Sequence, residues 1–410
     1  MTNKQTRILI IGAGYAGMLA AVRLAAKTRR VKRTITLVNA ADVFVERMRL
    51  HQVAANQTIA ARPIAEILRG TDLEFVQGVV TRLAPALHEV TVEHAGAVRR
   101  LSYDYLMVAL GSTIDRDSIP GVRENAYVLT PDGARSAFAL RELLPSINAQ
   151  KGTVVVVGGG ATGIEAAAEF AETYPGIHLR LVTQGEAGAF LNEKIGHFIQ
   201  ESLTRLGVTI QPNTTVTQIK PRELVTASGA YIPFDACLWA GGFRAQPLAR
   251  ESGLTVNDYG QILVDPFMRS ISHPDIYALG DAAYPIEEPG VRVRMSAFTA
   301  AVLGAHAADC LSAVLRGSTP KPLSFAYAGQ GIALGRHDAI GFNNYPNDKP
   351  NMPYFTGKLG VEIREFFVRF LADAAGIERR MPGFFLWMGK GRYTAAKRRA
   401  QRQTPARQGL

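Results

Sequence analysis

The sequence predicts an α/β protein with two doubly wound parallel-sheet units and a small α+β region near the C-terminus. Three observations predict it. A β-branched run, Arg7–Ile11, ends in glycine and leads into an Ala- and Leu-rich stretch from Met18 to Ala26, the strand, turn and helix order of a βα unit. The same order returns at Thr153–Val157, Gly158 and the helix-forming run Thr162–Glu172. Each unit then closes alike, with an acid, an apolar run and a glycine, in Tyr103–Gly111 and in Phe234–Gly242.

Taken in order, Thr34–Val38 supplies the second strand of the first unit and Ile177–Val182 that of the second. Between the units, Glu89–Glu93 and Val98–Leu101 alternate and read as antiparallel strands covering part of the first. His273–Asp281 is a further buried strand ending in Gly-Asp, and it leads into a small-residue helix from about Ser296 to Leu311 that returns the chain to the first unit. Strand-like runs at Phe325–Gly335 and Ala339–Asn343 precede an amphipathic helix near Val361–Ala372. The expected organisation is a discontinuous first domain of residues 1–115 and 244–322, a second of 116–243, a C-terminal region of 323–375 and a basic tail of 376–410.

Composition excludes several classes. A chain of 410 residues with 47% hydrophobic and 20% charged residues is globular rather than disordered, and long enough for two or three cores. Its only cysteines, Cys237 and Cys310, form no CxxC pair, which argues against a disulfide framework or a dithiol centre and fits a reducing, cytoplasmic setting. No signal peptide is expected from the opening residues, and no stretch approaches the roughly 20 apolar residues of a membrane span. The net charge of +11 is concentrated: from Gly376 onward nine Lys or Arg face the single acid Glu378, a local +8 that leaves +3 for the body. A nucleic-acid-binding core is therefore not implied. The eight histidines show no ligand spacing and neither cysteine has a metal-ligand neighbour, so no metal site is expected.

The chemistry lies in the glycines. Gly12-Ala-Gly14-Tyr15-Ala16-Gly17 has GxGxxG spacing between strand and helix. There the first glycine permits the tight turn, the second lets backbone approach a pyrophosphate, and the third allows close helix packing. Free N–H groups and the helix dipole then face the phosphates. Gly158-Gly-Gly160-Ala-Thr162-Gly163 repeats the spacing in the same context. Two such sites imply two dinucleotides, most economically a resident flavin and a visiting nicotinamide.

At the end of the second strand such a site presents Asp or Glu to ribose; here Asn39 stands there, and an amide makes the bond without charge assistance. Thr183 and Gln184 hold the corresponding place in the second unit, which leaves NADH and NADPH both open. Gly111, closing its strand, is counted with the first site. Gly280 and Asp281 end a strand near a helix start, where the carboxylate serves either a flavin hydroxyl or the helix dipole. Glu165, just inside the second helix, either faces the nicotinamide as a catalytic residue or is an ordinary first-turn acid. His51 lies in the loop after Asn39 and reads as a satisfied loop histidine.

With these residues in place, the chain resembles the two-dinucleotide flavoprotein reductases, and especially the type II NADH dehydrogenase branch, over roughly residues 7–343. Gly12, Gly14 and Gly17 match the family's FAD-phosphate turn; Gly158, Gly160, Gly163 and Glu165 match its GGGxTGxE nicotinamide motif; Gly280 and Asp281 match its late flavin-binding pair. The resemblance implies that Glu165 sits beside the nicotinamide and Asp281 on the ribityl chain. Quinone-reducing members often carry glutamines on the helix after Gly-Asp, where this chain has Phe298, Val302 and Leu303.

The expected function is thus an FAD-dependent NAD(P)H:acceptor oxidoreductase with a quinone as the favoured acceptor. Alternatives are a reductase passing single electrons to a small iron–sulfur protein, and a nicotinamide-sensing redox interaction protein. Phe384–Met388 followed by basic residues offers peripheral contact with the inner face of the cell membrane, or a solvated tail with a few aromatics packed on the body. A homodimer is left open.

Overall fold

Two parallel sheets form, each with its glycine-ended strand inside. A computed structural model describes residues 5–286 and 293–392. The first sheet orders its strands Ile276–Ala278, Tyr105–Val108, Thr6–Ile11, Arg33–Asn39 and Glu74–Gln77. The second orders Thr209–Gln211, His178–Val182, Thr153–Val157 and Ala236–Trp239. Every pairing within both sheets is parallel. Helices cover one face of each sheet and an antiparallel sheet the other, so Ile8, Ile10 and Ile11 of the first and Val154–Val157 of the second are buried on both sides and read as continuous apolar runs.

The register repeats as the sequence does. Ile11 lies opposite Val38 and Val157 opposite Val182. Just beyond, Gly12 N donates to Val38 O and Gly158 N to Val182 O, both at 2.8 Å. On the opposite flank Ala109 N donates to Ile11 O at 2.8 Å and Ala240 N to Val157 O at 2.9 Å. Each glycine turn therefore sits where the strand order reverses, the place at which open α/β sheets leave a crevice.

Each unit also carries a three-stranded antiparallel sheet. Glu89–His94 and Ala97–Ser102, both expected, build the first together with Val79–Ala84, which the alternation did not mark. Val216–Lys220, Glu223–Thr226 and Tyr231–Pro233 build a second that the sequence reading did not anticipate, burying Ile219, Leu224 and Ile232. Where the chain passes between the parallel sheets and back, Ser112–Ile114 pairs antiparallel with Phe243–Ala245.

The helix Tyr15–Lys27 is buried along most of its length because its small residues receive the helix Ala297–Leu315. A Cβ on Gly304 would lie 2.4 Å from Ala16 O, so glycine sets the separation of the two helices. Ala297–Leu315 is long and apolar enough to cross a membrane by length and composition, but 78% of that stretch is buried inside the fold.

The C-terminal part differs from expectation in three places. Pro350–Phe355 adds a third strand to the antiparallel sheet of Gly329–Ala333 and Ala339–Asn344; its two prolines hid it, and it takes the edge, where a missing donor costs no ladder bond. The amphipathic helix extends over Gly357–Arg380. And the chain does not become a tail at residue 376. Glu378, fully buried, accepts from Gly383 N at 2.7 Å, Phe385 N at 2.9 Å and Arg23 Nη1 at 2.9 Å. Arg23 also pairs with Asp309, which receives Lys390 at 2.9 Å. Trp387 Nε1 donates to Ser324 O, and Phe385 and Trp387 lie in the core of the first unit. Residues 376–392 are thus part of the folded body; 393–410, with the remaining basic residues, lie outside the described residues.

Candidate functional site

A Cβ test explains each glycine of the two motifs. Gly12 has φ +97, and a Cβ there would meet Ala109 O at 2.4 Å; Gly158 has φ +127, with Ala240 O at 2.9 Å. Both positions require glycine for conformation and for the approach of the neighbouring strand. At Gly17 a Cβ would stand 1.8 Å from Gly12 O, and at Gly163 1.9 Å from Gly158 O. These third glycines let each helix close onto its own turn. Gly14 and Gly160 differ, for a Cβ on either would meet nothing within 4 Å. Both are helix N-caps without a side-chain cap, so first-turn N–H groups keep their hydrogen-bonding capacity for a ligand.

Both open glycines face one cavity of about 1340 Å³. Its wall contains Gly12–Ala16 of the first turn and Gly158–Thr162 of the second, together with Asn39, Gly111, Gly280, Asp281 and Glu165. A drug-sized ligand needs roughly 300–1,000 Å³, so the space exceeds one small molecule. Gly17 and Gly163, the packing glycines, stand behind the wall. Tyr15 meets Phe44 edge-on at 5.1 Å, and burial raises its phenol pKa. Ala16 lies under Gly280, whose Cβ would meet the Ala16 Cβ at 2.9 Å.

Asn39 holds the first turn. Its Oδ1 accepts from Ala13 N at 2.9 Å and its Nδ2 donates to Ala41 O at 2.8 Å, leaving one amide hydrogen for a ribose oxygen. Thr183 backs the second turn, since a Cβ on Gly159 would lie 2.3 Å from Thr183 Oγ1.

Asp281 is the polar group most in need of a ligand. Its Oδ2 accepts from Ser112 Oγ at 2.6 Å, while Oδ1 is buried without a hydrogen-bond partner. Burial raises its carboxyl above the ordinary aspartate range, against the Ser112 hydroxyl, the Arg47 charge and the nearby Ser296 N–H. A cavity-facing carboxylate with a spare acceptor matches a hydroxyl chain. Arg47, unremarked in the sequence, donates to Ser112 O at 2.7 Å and approaches Gly111.

Glu165 lines the cavity but also ties three elements. Its Oε1 accepts from Ala333 N at 3.0 Å and from Arg364 Nη2 at 3.1 Å, and its Oε2 lies 4.0 Å from His51 Nδ1. Arg364, 4% exposed in its side chain, also donates to Glu365 at 2.7 Å. Sequence gave no hint of Arg364, which stands 199 positions beyond Glu165. His51 is not a loop residue: it is buried in the short helix Leu50–Ala54 and reaches the cavity.

At the C-terminal end the wall turns apolar, with Phe298, Phe367, Val368 and Leu371, and carries Arg294 and Gln330. Of Phe298, Val302 and Leu303, Phe298 reaches the cavity whereas Val302 and Leu303 are core residues. A glutamine nonetheless arrives from another element, Gln330, whose Oε1 accepts from Arg294 Nη1 at 2.8 Å. Cys237 and Cys310 lie in separate cores with their thiol pKa values raised by burial. Among the described residues no group of His, Cys, Asp and Glu is arranged to hold a metal ion.

Two dinucleotide turns opening on one cavity, beside a buried carboxylate, define a flavoprotein reductase of the two-dinucleotide class. Residues 6–305 match the description "Pyridine nucleotide-disulphide oxidoreductase", and the chain belongs to that family. Among curated relatives it is similar to the demethylphylloquinone reductase NdbB of Synechocystis, 27% identical over 83% of this chain and 87% of that one. A type II NADH:quinone oxidoreductase of Haemophilus influenzae is 25% identical over 82% and 86%. The fold matches the sulfide:quinone oxidoreductase of Aquifex aeolicus, with a TM-score of 0.77 at 17% identity, covering 92% of this chain and 93% of that one. It also matches NDH2 of Plasmodium falciparum in complex with NADH, with a TM-score of 0.74 at 16% identity, covering 93% and 99%. The chain is an oxidoreductase whose cofactors are FAD and NAD(P)H, and the open glycines, the spare Asp281 oxygen and the cavity's size fit both.

Two outcomes follow. Gly160→Val adds atoms only to open space, so the fold persists while nicotinamide affinity falls about tenfold or more as the amides are screened. Gly163→Val drives a side chain into Gly158 O and leaves no soluble folded protein. Thermal unfolding and nucleotide titration check both; equal damage by the two would contradict the assignment. The Asp281 carboxyl pKa is raised in the fold relative to about 3.9 in an unfolded chain, so its stabilising contribution is complete below that value and is lost as pH rises through the raised one. Asp281→Asn therefore raises the unfolding midpoint of FAD-free protein at pH 7, with the gap closing towards pH 4, yet weakens FAD binding. A variant destabilised at pH 7 in the FAD-free state contradicts this reading.

Proposed function

We propose that this protein reduces a quinone-like acceptor with electrons from NAD(P)H, using the first glycine turn for FAD and the second for the nicotinamide nucleotide. The observation that carries the reading is that both turns, Asp281, Glu165 and an apolar mouth border one cavity. FAD bound at the first turn would supply a hydride acceptor for the nicotinamide and a two-electron donor for the acceptor.

The chain's own residues bind, orient and exclude water. First-turn N–H groups at Gly14 and Gly160 hold the two pyrophosphates, Asn39 donates to the flavin-side ribose, and Asp281 accepts from the ribityl hydroxyls. Glu165, fixed by Arg364 and Ala333 N, sits beside the nicotinamide and aligns it. Phe298, Phe367 and Leu371 give the acceptor an apolar berth, while Gln330 and Arg294 meet its polar head. The similarity to relatives named as quinone reductases supports this acceptor class.

Next to the mouth, Phe366, Phe370 and Phe385 form a ladder of stacked rings, with Phe366, Phe384, Leu386 and Met388 exposed beside Arg369 and Lys390. This face is the peripheral contact with the inner, cytoplasmic side of the membrane. Apolar insertion and attraction to anionic lipid act together there.

Stopped-flow mixing of the FAD-loaded protein with NADH or NADPH tests the reading, followed by a panel of acceptors. The expected result is rapid bleaching of the flavin and reoxidation by short-chain quinones faster than by dioxygen or ferredoxin. Bleaching followed by reoxidation with ferredoxin alone would replace the quinone by a single-electron partner, and absence of bleaching would remove the donor assignment.

A further inference from the structure

Among the described residues that line the cavity, His51 is a buried titratable group to which neither cofactor binding nor packing gives a task. His51 is 3% exposed, lines the cavity, and its Nε2 is buried without a hydrogen-bond partner. A buried polar atom left unpaired is costly, so packing alone does not account for an imidazole there. Its other nitrogen is not idle, for Nδ1 lies 4.0 Å from Glu165 Oε2.

Charges reach the ring from several elements: Glu165 from the helix Ala161–Thr173, Arg364 and Glu365 from the helix Gly357–Arg380, and Arg49 from the turn just before its own helix. The helix Ala137–Ala149, which also packs against Leu50–Ala54, directs Arg141 to Asn56 instead. Burial dominates and lowers the imidazole to about 4; Glu165 and Glu365 oppose this while Arg364 and Arg49 reinforce it. The resting ring is therefore neutral at pH 7. A carboxylate beside Nδ1 favours the proton there, which leaves Nε2 as the unprotonated nitrogen without a partner.

On the reading that the acceptor is a quinone, the proton count requires a carrier. NAD(P)H supplies two electrons and one proton as hydride, whereas a quinol carries two protons, so one proton must come from solvent. We propose that His51 carries it: Nε2 binds a proton when the cavity gains negative charge on reduction, then releases it to an acceptor oxygen. The N–H bond at Nε2 breaks, an O–H bond forms on the acceptor, and the imidazole returns to neutral. Added negative charge within a few ångströms favours the cationic ring, as Glu165 already does in part. Glu165, with partial solvent exposure, is the positioning residue whose carboxylate faces Nδ1 and stabilises the transient cation.

The test compares wild type with His51→Gln, each first shown to hold FAD and to unfold at a similar temperature. The first readout needs no acceptor: a pH-indicator dye in weak buffer follows proton uptake as the FAD-loaded protein is reduced anaerobically at pH 7. Wild type takes up about one proton more per molecule than His51→Gln. The second readout is the ratio of quinone reduction to ferricyanide reduction, ferricyanide needing electrons but no proton. That ratio falls about tenfold or more in the variant, and the pH dependence of quinone reduction flattens. Equal proton uptake, or equal loss with both acceptors, overturns the role of His51. If wild type reduces no quinone, the acceptor reading fails, and the uptake measurement still decides whether His51 binds the reduction-linked proton.

Discussion

Two carbonyl oxygens govern this molecule. Gly12 O and Gly158 O stand where a side chain five residues later would begin, so each helix can fold back on its strand only through a glycine. That approach brings each helix N-terminus to the end of its parallel sheet at the point where strand order reverses. Everything chemical follows from the placement, because exposed amides at two such points can hold two pyrophosphates with no cationic side chain. The same geometry leaves Gly14 and Gly160 bare towards one space.

Holding two such units in register is the task of residues that carry no motif. The strands Ser112–Ile114 and Phe243–Ala245 cross between them, and Ser112 also donates to Asp281, so the linker touches the site it positions. On the far side Glu165, Arg364 and Glu365 tie the second unit to the C-terminal helix, while Arg49 joins Glu365 and Glu46 near the first. These pairs are largely buried, so losing one partner leaves an uncompensated charge, at a cost of about 3–5 kcal/mol. Arg23, Asp309 and Glu378 fasten the end of the same helix to the core of the first unit. The cavity is closed by the C-terminal region as much as by the dinucleotide folds.

The parts visible in the sequence were those with local causes. β-branched runs ending in glycine marked the inner strands, and GxGxxG spacing located both turns, because period and spacing are properties of neighbouring residues. Asn39 was placed correctly at the strand end, but its grip on Ala13 N depends on the turn's three-dimensional path. Glu165 could be read from its motif while Arg364 could not, since nothing local marks one arginine of an amphipathic helix as buried. His51 passed as a loop residue because the helix Leu50–Ala54 is too short to show a period. Phe384–Met388 read as an apolar cluster, whereas the fold turns Phe385 and Trp387 inward and Phe384, Leu386 and Met388 outward.

The central claim is that one cavity brings two nucleotides into contact. Titrating FAD-loaded protein with oxidised nicotinamide nucleotide, while recording the flavin absorption spectrum, tests it most directly because no turnover is involved. Contact predicts a saturable shift of the flavin bands at a single equivalent of nucleotide, lost in Gly160→Val. Tight nucleotide binding that leaves the flavin spectrum unchanged would place the two sites apart and contradict the account.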